Sequence, residues 1–421
     1  MKINFLRRFP IILNKLFVSK GVPFEKESAL LRSIPFNFPE ASLVFGLMSV
    51  GVMWYEGLLL KFIPNTITDI LPLIFIILAI LVADKKKIYF YKAHSWYLVF
   101  LTLAIFSGFS AISRGEATLN VPFYVLIILY FFLALIWAQT QTSRKLLISF
   151  LWLALPAALY GIFEYYTGNF VFTTSALEET AGRASSFLQN PNVFGFVMTI
   201  VFLISVYFLQ HDSKRRFAPF VFIFGLSIVL TMSRTAWLAA LLGIIPLIKF
   251  TLPEKNFLSV GLLGGIKTRF EVLFSPEYWL NSSIDGRLWA LNNGLYIAKK
   301  FPILGTGPGT YGGKFAETYS SPVYFYGMQH GYVALMTTDN QYIAFLVQLG
   351  VAGLMVFTGF LISLWLQSYK TGNAYAALSR AVLLSFAVMM LSANAFEFMS
   401  VSIPVAALAG ISLIKEKQVV I

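Results

Sequence analysis

Windows of about 20 apolar residues recur along most of this chain, and that is the length an α-helix needs to cross the hydrocarbon core of a bilayer. Hydrocarbon offers no water to satisfy a peptide group, so a chain of this kind is restricted to helices or a closed barrel. A barrel would show short alternating segments, and the sequence has none. The apolar runs predict spans near 41–56, 67–83, 95–112, 121–139, 146–163, 192–210, 217–232, 235–250, 257–266, 341–367, 381–396 and 401–414. The expected fold is therefore an all-α integral membrane protein, a polytopic bundle of about 12 transmembrane helices. With 58% hydrophobic and 12% charged residues, the 421-residue chain lies outside the range of soluble globular domains. Two spans stand apart. The segment 257–266 (FLSVGLLGGI) is short and glycine-rich and crosses only if 267–273 extends it or neighbours shield it, whereas 341–367 is long enough to span with tilt.

Charge orients the bundle. With the N-terminus inside, 22 of the 32 Lys and Arg fall on the inner face and 10 on the outer, while the 19 acids divide as 7 and 12. The faces then carry about +15 and −2, a bias that follows the positive-inside rule. The net charge of +13 thus reflects topology and attraction to anionic lipid, and nucleic acid is not an expected partner. The first 40 residues are basic and broken by prolines, so residues 1–40 read as a cytoplasmic arm on the membrane surface, without a cleavable signal peptide. Residues 41–421 read as one polytopic membrane domain.

The absence of cysteine excludes disulfides, thiolate metal sites and cysteine nucleophiles. His94, His211 and His330 are scattered, so no metal site is expected. Most of the sequence between spans lies in two outward segments, 164–191 and 267–338, and loops that unequal point to work done on the face that bears them. In the larger one, Asp285 is placed to cap a helix that starts near Arg287, with Leu288, Leu291, Leu295 and Ala298 at helical spacing. Lys299 and Lys300 fall where its dipole favours cations, and Pro302 ends it. The glycine run that follows, ILGTGPGTYGG, has no preceding strand and no closing Gly-Lys-Ser/Thr. It is expected to be a tight turn that brings backbone against a neighbouring helix or a substrate.

Three arginines stand at outward membrane edges: Arg183 in GRASSFLQNPN, Arg234 in MSRTAW and Arg287 in DGRLW. A guanidinium fork donates paired hydrogen bonds and stays charged, which suits a phosphate group. Three of them at a membrane edge fit a lipid-linked pyrophosphate whose tail remains in the bilayer. The plainer reading has each arginine paired with an acid such as Glu164, Glu178 or Asp285, and the residues alone leave both open. Asn190, Asn192 and Asn340 are placed to support such a site. Acid–base candidates on the same face are Asp339, which with Asn340 also reads as a simple helix cap, and His330. Glu397 interrupts the last hairpin, and Tyr311, Tyr319, Tyr324, Tyr326 and Tyr332 offer rings for stacking on sugars.

Taken in order, GRASSFLQNPNVFG, SRTAWLAALLG, GRLWALNNGLYIAKKFPILGTGPGTYGG and DNQYIAFLVQLGVAG resemble the O-antigen ligase and polymerase superfamily of bacterial envelope glycosyltransferases. The likeness runs from about residue 180 to 353, and the hydropathy profile extends it. The resemblance implies a GT-C-like bundle with a large helical outer loop in the bacterial cytoplasmic (inner) membrane, its active site on the extracytoplasmic face. It also implies a metal-independent inverting transfer from an undecaprenyl-diphosphate-linked glycan, with no cofactor. Arg183 and Arg287 would hold the diphosphate, Arg234 would support them, and Asp339 or His330 would act as catalytic residue. Ligases of the superfamily carry histidine, often His-Asn, at the start of the span after the large loop, where this chain has Asp339-Asn340. That difference favours a polymerase of O-antigen, capsule or exopolysaccharide repeat units, with membrane lipid, a chain-length regulator and a flippase as the partners implied. An O-antigen ligase or protein O-oligosaccharyltransferase is the nearest alternative. A carrier of lipid-linked glycan or small anion is the alternative of another class, and spans largely free of charge weigh against it.

Overall fold

The structure, a computed structural model, describes residues 38–60, 65–83, 88, 90–113, 120–172, 182–211, 215–247, 275–277, 279–280, 287–312 and 339–414. Every regular element among them is helical. In chain order the longer helices are α1 (Phe38–Trp54), α2 (Asn65–Leu81), α3 (Lys92–Ser113), α4 (Asn120–Gln139), α5 (Ser143–Thr167) and α6 (Pro191–His211). They continue as α7 (Ala218–Leu230), α8 (Arg234–Ile244), α9 (Arg287–Lys300), α10 (Gln341–Lys370), α11 (Ala376–Met390) and α12 (Met399–Ser412). Each expected span except 257–266 coincides with one of these helices, and that segment lies outside the described residues. So does most of the N-terminal arm. The helix expected near Arg287 is α9, with Lys299 and Lys300 in its last turn.

Four helical segments, Lys92–Ala111, Ser143–Thr167, Pro191–His211 and Gln341–Lys370, are long and apolar enough to cross a membrane, and shorter apolar helices of 10–17 residues accompany them. Large apolar side chains point outward at helical spacing, among them Ile70, Ile74, Ile77 and Leu81 on α2 and Val351, Met355, Ile362 and Leu366 on α10. Water would not tolerate so much exposed apolar surface, and lipid requires it. The opposite pattern marks the centre. From Ser400 to Ser412 every residue of α12 is buried, and the helix packs on α1, α4, α6 and α11. Its small residues permit this approach: a Cβ on Gly410 would lie 2.2 Å from the carbonyl oxygen of Leu135 in α4.

Helix α10 is broken inside the bundle. Gly350 takes φ +67° and ψ −172°, a left-handed backbone that a side chain opposes. The peptide groups freed by the break are taken up by residues 302–307. Thr306 and Gly307 donate their backbone N–H groups to Val347 and Gln348 carbonyls at 2.9 and 2.8 Å, and Val351 and Ala352 donate to Pro302 and Ile303 at 2.8 and 3.3 Å. An unsatisfied peptide group in an apolar setting costs roughly 2–7 kcal/mol, so this exchange is what allows the break. The glycine run is thus a structural insert. Gly305, at φ +69°, approaches so closely that a Cβ would lie 2.4 Å from the carbonyl carbon of Gln348. Ser107 of α3 closes the junction by donating to the carbonyls of Leu304 (2.6 Å) and Gln348 (3.1 Å).

Polar contacts join the helices within the bundle, as between Tyr97 and the Ile128 carbonyl, and at both of its ends. At one end Gln139 meets His94 and Gln141 meets Ser42, while Asn373 donates to the carbonyls of Ile411 and Ile414. The other end carries the arginines. Helix α11 stops at Met390, short of the expected 396, because the first turn of α10 claims the backbone beyond it. Asn340 donates to the carbonyl of Leu391 at 3.2 Å, and the N–H of Phe396 donates to Gln341 Oε1 at 3.1 Å.

Candidate functional site

Arg183 sits on a loop clamped from below by a buried carboxylate. Glu164, at the C-terminal end of α5 and wholly inaccessible to solvent, accepts the backbone N–H groups of Ser185 and Ser186 at 2.7 Å each and the Ser185 hydroxyl at 3.3 Å. Two successive N–H groups can converge on one carboxylate because Ser186 turns to φ +54°. The same loop is tied sideways by the Ala184 N–H, which donates to the Leu230 carbonyl at 3.0 Å. Held there, the Arg183 guanidinium donates from Nε to the Thr231 carbonyl and from NH2 to Asn192 Oδ1, both at 2.9 Å. Asn190 caps α6 through its side chain, accepting from the N–H groups of Asn192 and Val193.

Thr231 begins the tight turn that leads to Arg234, the first residue of α8, which Ser233 caps by accepting the Ala236 N–H. Beside Arg234, Thr235 accepts a hydrogen bond from the Ser392 hydroxyl at the end of α11. The neighbouring Leu391 carbonyl accepts from Asn340, whose Oδ1 caps α10 by accepting the N–H groups of Tyr342 and Ile343 at 3.0 and 3.1 Å. Next to this cap stands Asp339, in a left-handed backbone at φ +46°, and its Oδ2 accepts from Arg287 Nε at 3.0 Å. The pair is half-exposed, with 45% of the Arg287 side chain and 33% of the Asp339 side chain accessible. One relay of contacts therefore joins Arg183 to Arg287 across one end of the bundle and passes the backbone on either side of Arg234. It runs from Arg183 through Thr231 and the turn to Arg234, then through Ser392, Leu391 and Asn340 to the Asp339–Arg287 pair.

A buried layer lies directly behind this relay. Gln341, the residue after Asn340, donates to the Tyr124 hydroxyl at 3.3 Å, and that hydroxyl donates to Glu397 Oε1 at 3.2 Å. Glu397 is 7% exposed, so it faces the interior, within reach of the first turn of α10. Tyr311 is corrected by the structure. Its ring is buried under α9, with its hydroxyl donating to the Ala290 carbonyl at 2.7 Å, and it offers no stacking surface for a sugar. Tyr319, Tyr324, Tyr326, Tyr332 and His330 lie outside the described residues, as do Glu178 and Asp285.

Residues 219–358 match the family model described as O-antigen ligase. Over this third of the chain the protein is similar to the O-antigen ligase family. A search of curated proteins found no match. The matched segment begins in α7, includes Arg234, Arg287 and Asp339, and ends just past the break in α10. Arg183 precedes it and joins it only through space, by its hydrogen bond to Thr231. The similarity supports an O-antigen ligase/polymerase type of function and agrees with the membrane-helix character of the fold.

Among the described residues no group of three or more His, Cys, Asp or Glu is arranged to hold a metal ion. Chemically, this end of the bundle offers guanidinium groups held by carbonyl, amide and carboxylate partners, a helix N-terminus at Asn340 and one half-exposed carboxylate. Sequence reasoning had the arginines and asparagines but missed Tyr124, Gln341 and Ser392. Nothing in their local sequence marks them: each is an ordinary polar residue at a helix end until distant helices are brought together.

Proposed function

We propose that the protein is a polymerase that joins polyprenyl-diphosphate-linked oligosaccharide repeat units at the extracytoplasmic face of a bacterial cytoplasmic membrane. The observation that carries this reading is the contact relay linking Arg183, the turn before Arg234, and Arg287 at one end of an all-helical bundle. A lipid-linked diphosphate suits that position, because its tail stays in hydrocarbon while its headgroup meets guanidinium groups at the bundle end.

In this reading a hydroxyl of the acceptor unit attacks the anomeric carbon of the donor glycan from the face opposite the diphosphate. A carbon–oxygen bond forms to the acceptor, the bond from the anomeric carbon to the phosphate oxygen breaks, and configuration inverts. Negative charge grows on the departing diphosphate, where preorganised donors contribute most, and the arginines offset it without needing a metal. An outer-face carboxylate or imidazole takes the acceptor proton, Asp339 and His330 being the candidates the sequence offers.

The family description favours a second reading within the same chemistry, transfer of a finished glycan by a ligase. Deleting the gene in the native host separates the two. A polymerase loss leaves envelope glycan carrying single repeat units, whereas a ligase loss leaves long polymer on the lipid carrier. Unchanged envelope glycan in the deletion strain would sink both.

A further inference from the structure

We infer that Asp339 is the positioning residue of Arg287, holding the guanidinium by its Nε edge so that NH1 and NH2 are presented to the diphosphate, and is not the group that takes the acceptor proton. The inference rests on the diphosphate reading above.

Three observations carry it. The contact is single and made on the Nε side, Arg287 Nε to Asp339 Oδ2 at 3.0 Å, and among the described residues Arg287 makes no other hydrogen bond. The NH1/NH2 edge, which pairs with phosphate through two parallel bonds, is therefore left for a ligand on a side chain that is 45% exposed. Second, the backbone at Asp339 is fixed by the cap beside it, whereas the Arg287 side chain makes its contact through Nε alone. Asp339 adjoins a cap residue with three hydrogen bonds of its own, two to the first turn of α10 and one to Leu391. Arg287 is the first residue of α9 and reaches from it with a long, rotatable side chain, so the short carboxylate is the fixed point and the guanidinium the group being placed. Third, Oδ2 already accepts from Arg287, so a proton taken on that oxygen would compete with the bond that places the guanidinium.

The test is binding of undecaprenyl diphosphate, without any glycan, to the full chain in nanodiscs, read beside polymer made in the native host. Arg287→Ala should weaken binding about tenfold, the loss of roughly 1.4 kcal/mol. Asp339→Ala should weaken it similarly, and the double variant should bind no worse than Arg287→Ala, since the carboxylate acts only through the arginine. Asp339→Asn keeps an oxygen for Nε but loses the charge, so it should bind better than Asp339→Ala and worse than the parent, with polymer reduced in proportion to binding. Membrane accumulation and melting temperature establish that each variant is folded. Tighter binding by Asp339→Ala would show the carboxylate competing with the diphosphate and would overturn the inference. An Asp339→Asn variant that binds normally yet makes no polymer would overturn it in favour of a proton acceptor. Unchanged binding by Arg287→Ala would instead remove the diphosphate reading on which the inference stands.

Discussion

Arg183 donates from Nε to the carbonyl of Thr231 at 2.9 Å, across 48 residues of sequence and three residues before Arg234. This bond locks the loop after α5 to the turn between α7 and α8, and so sets two of the three arginines in fixed relation. A guanidinium can hold Thr231 and Asn192 at once because its donors diverge in a plane, and an ammonium on a single atom cannot reach both directions equally. Arg183→Lys should therefore lower polymer in the native host by about tenfold or more at normal membrane abundance, while Asn192→Ala, which leaves the Thr231 bond, should lose less. Full activity of Arg183→Lys, measured by glycan gel profile, would remove Arg183 from the site.

Glu164 carries a prediction about stability. Replacing it with alanine strands two buried N–H groups, those of Ser185 and Ser186, and each such group costs about 1–3 kcal/mol. Glu164→Ala should be destabilised by at least about 2 kcal/mol in thermal unfolding, and Glu164→Gln, which keeps one acceptor oxygen, by less. Equal melting of parent and Glu164→Ala would mean that the loop is held by other contacts.

The break in α10 makes two glycines irreplaceable and leaves a third as control. A Cβ on Gly350 would lie 2.1 Å from the carbonyl oxygen of Ile303, in addition to its left-handed φ of +67°. Gly350→Ala and Gly305→Ala should abolish accumulation of folded protein. Gly168 has nearly the same φ, +66°, but nothing within 4 Å of its Cβ position, so Gly168→Ala should cost only about 1–2 kcal/mol. Comparable abundance of Gly350→Ala and Gly168→Ala would show that the insert is not rigid.

Orientation is testable because the chain has no cysteine of its own. Ser185, on the outward loop by sequence, is wholly buried and is a poor labelling position. Asn169 is exposed just beyond α5, and Arg216 is exposed between α6 and α7. Asn169→Cys should react with an impermeant thiol reagent in intact spheroplasts, and Arg216→Cys only after lysis. The reverse pattern would turn the bundle over and place the arginine end in the cytoplasm.

Sequence alone determined the helical class, the order of the helices and the charge bias, because each depends on hydropathy over a single contiguous run. It also determined the helix that opens with Arg287, since apolar spacing and terminal lysines are legible within a few residues. What only the tertiary structure decided are relations between distant runs. Ser392 and Thr235 are 157 residues apart, Arg287 and Asp339 are 52 apart, and Gln341 and Tyr124 are 217 apart. Hydropathy does not encode which helix ends meet, and a hydrogen-bond donor shows no preference for its partner until packing brings the two within about 3 Å. The glycine run shows the same division. Its composition announced a close backbone approach, but only the broken helix at Gly350, with peptide groups in need of partners, determined what it approaches.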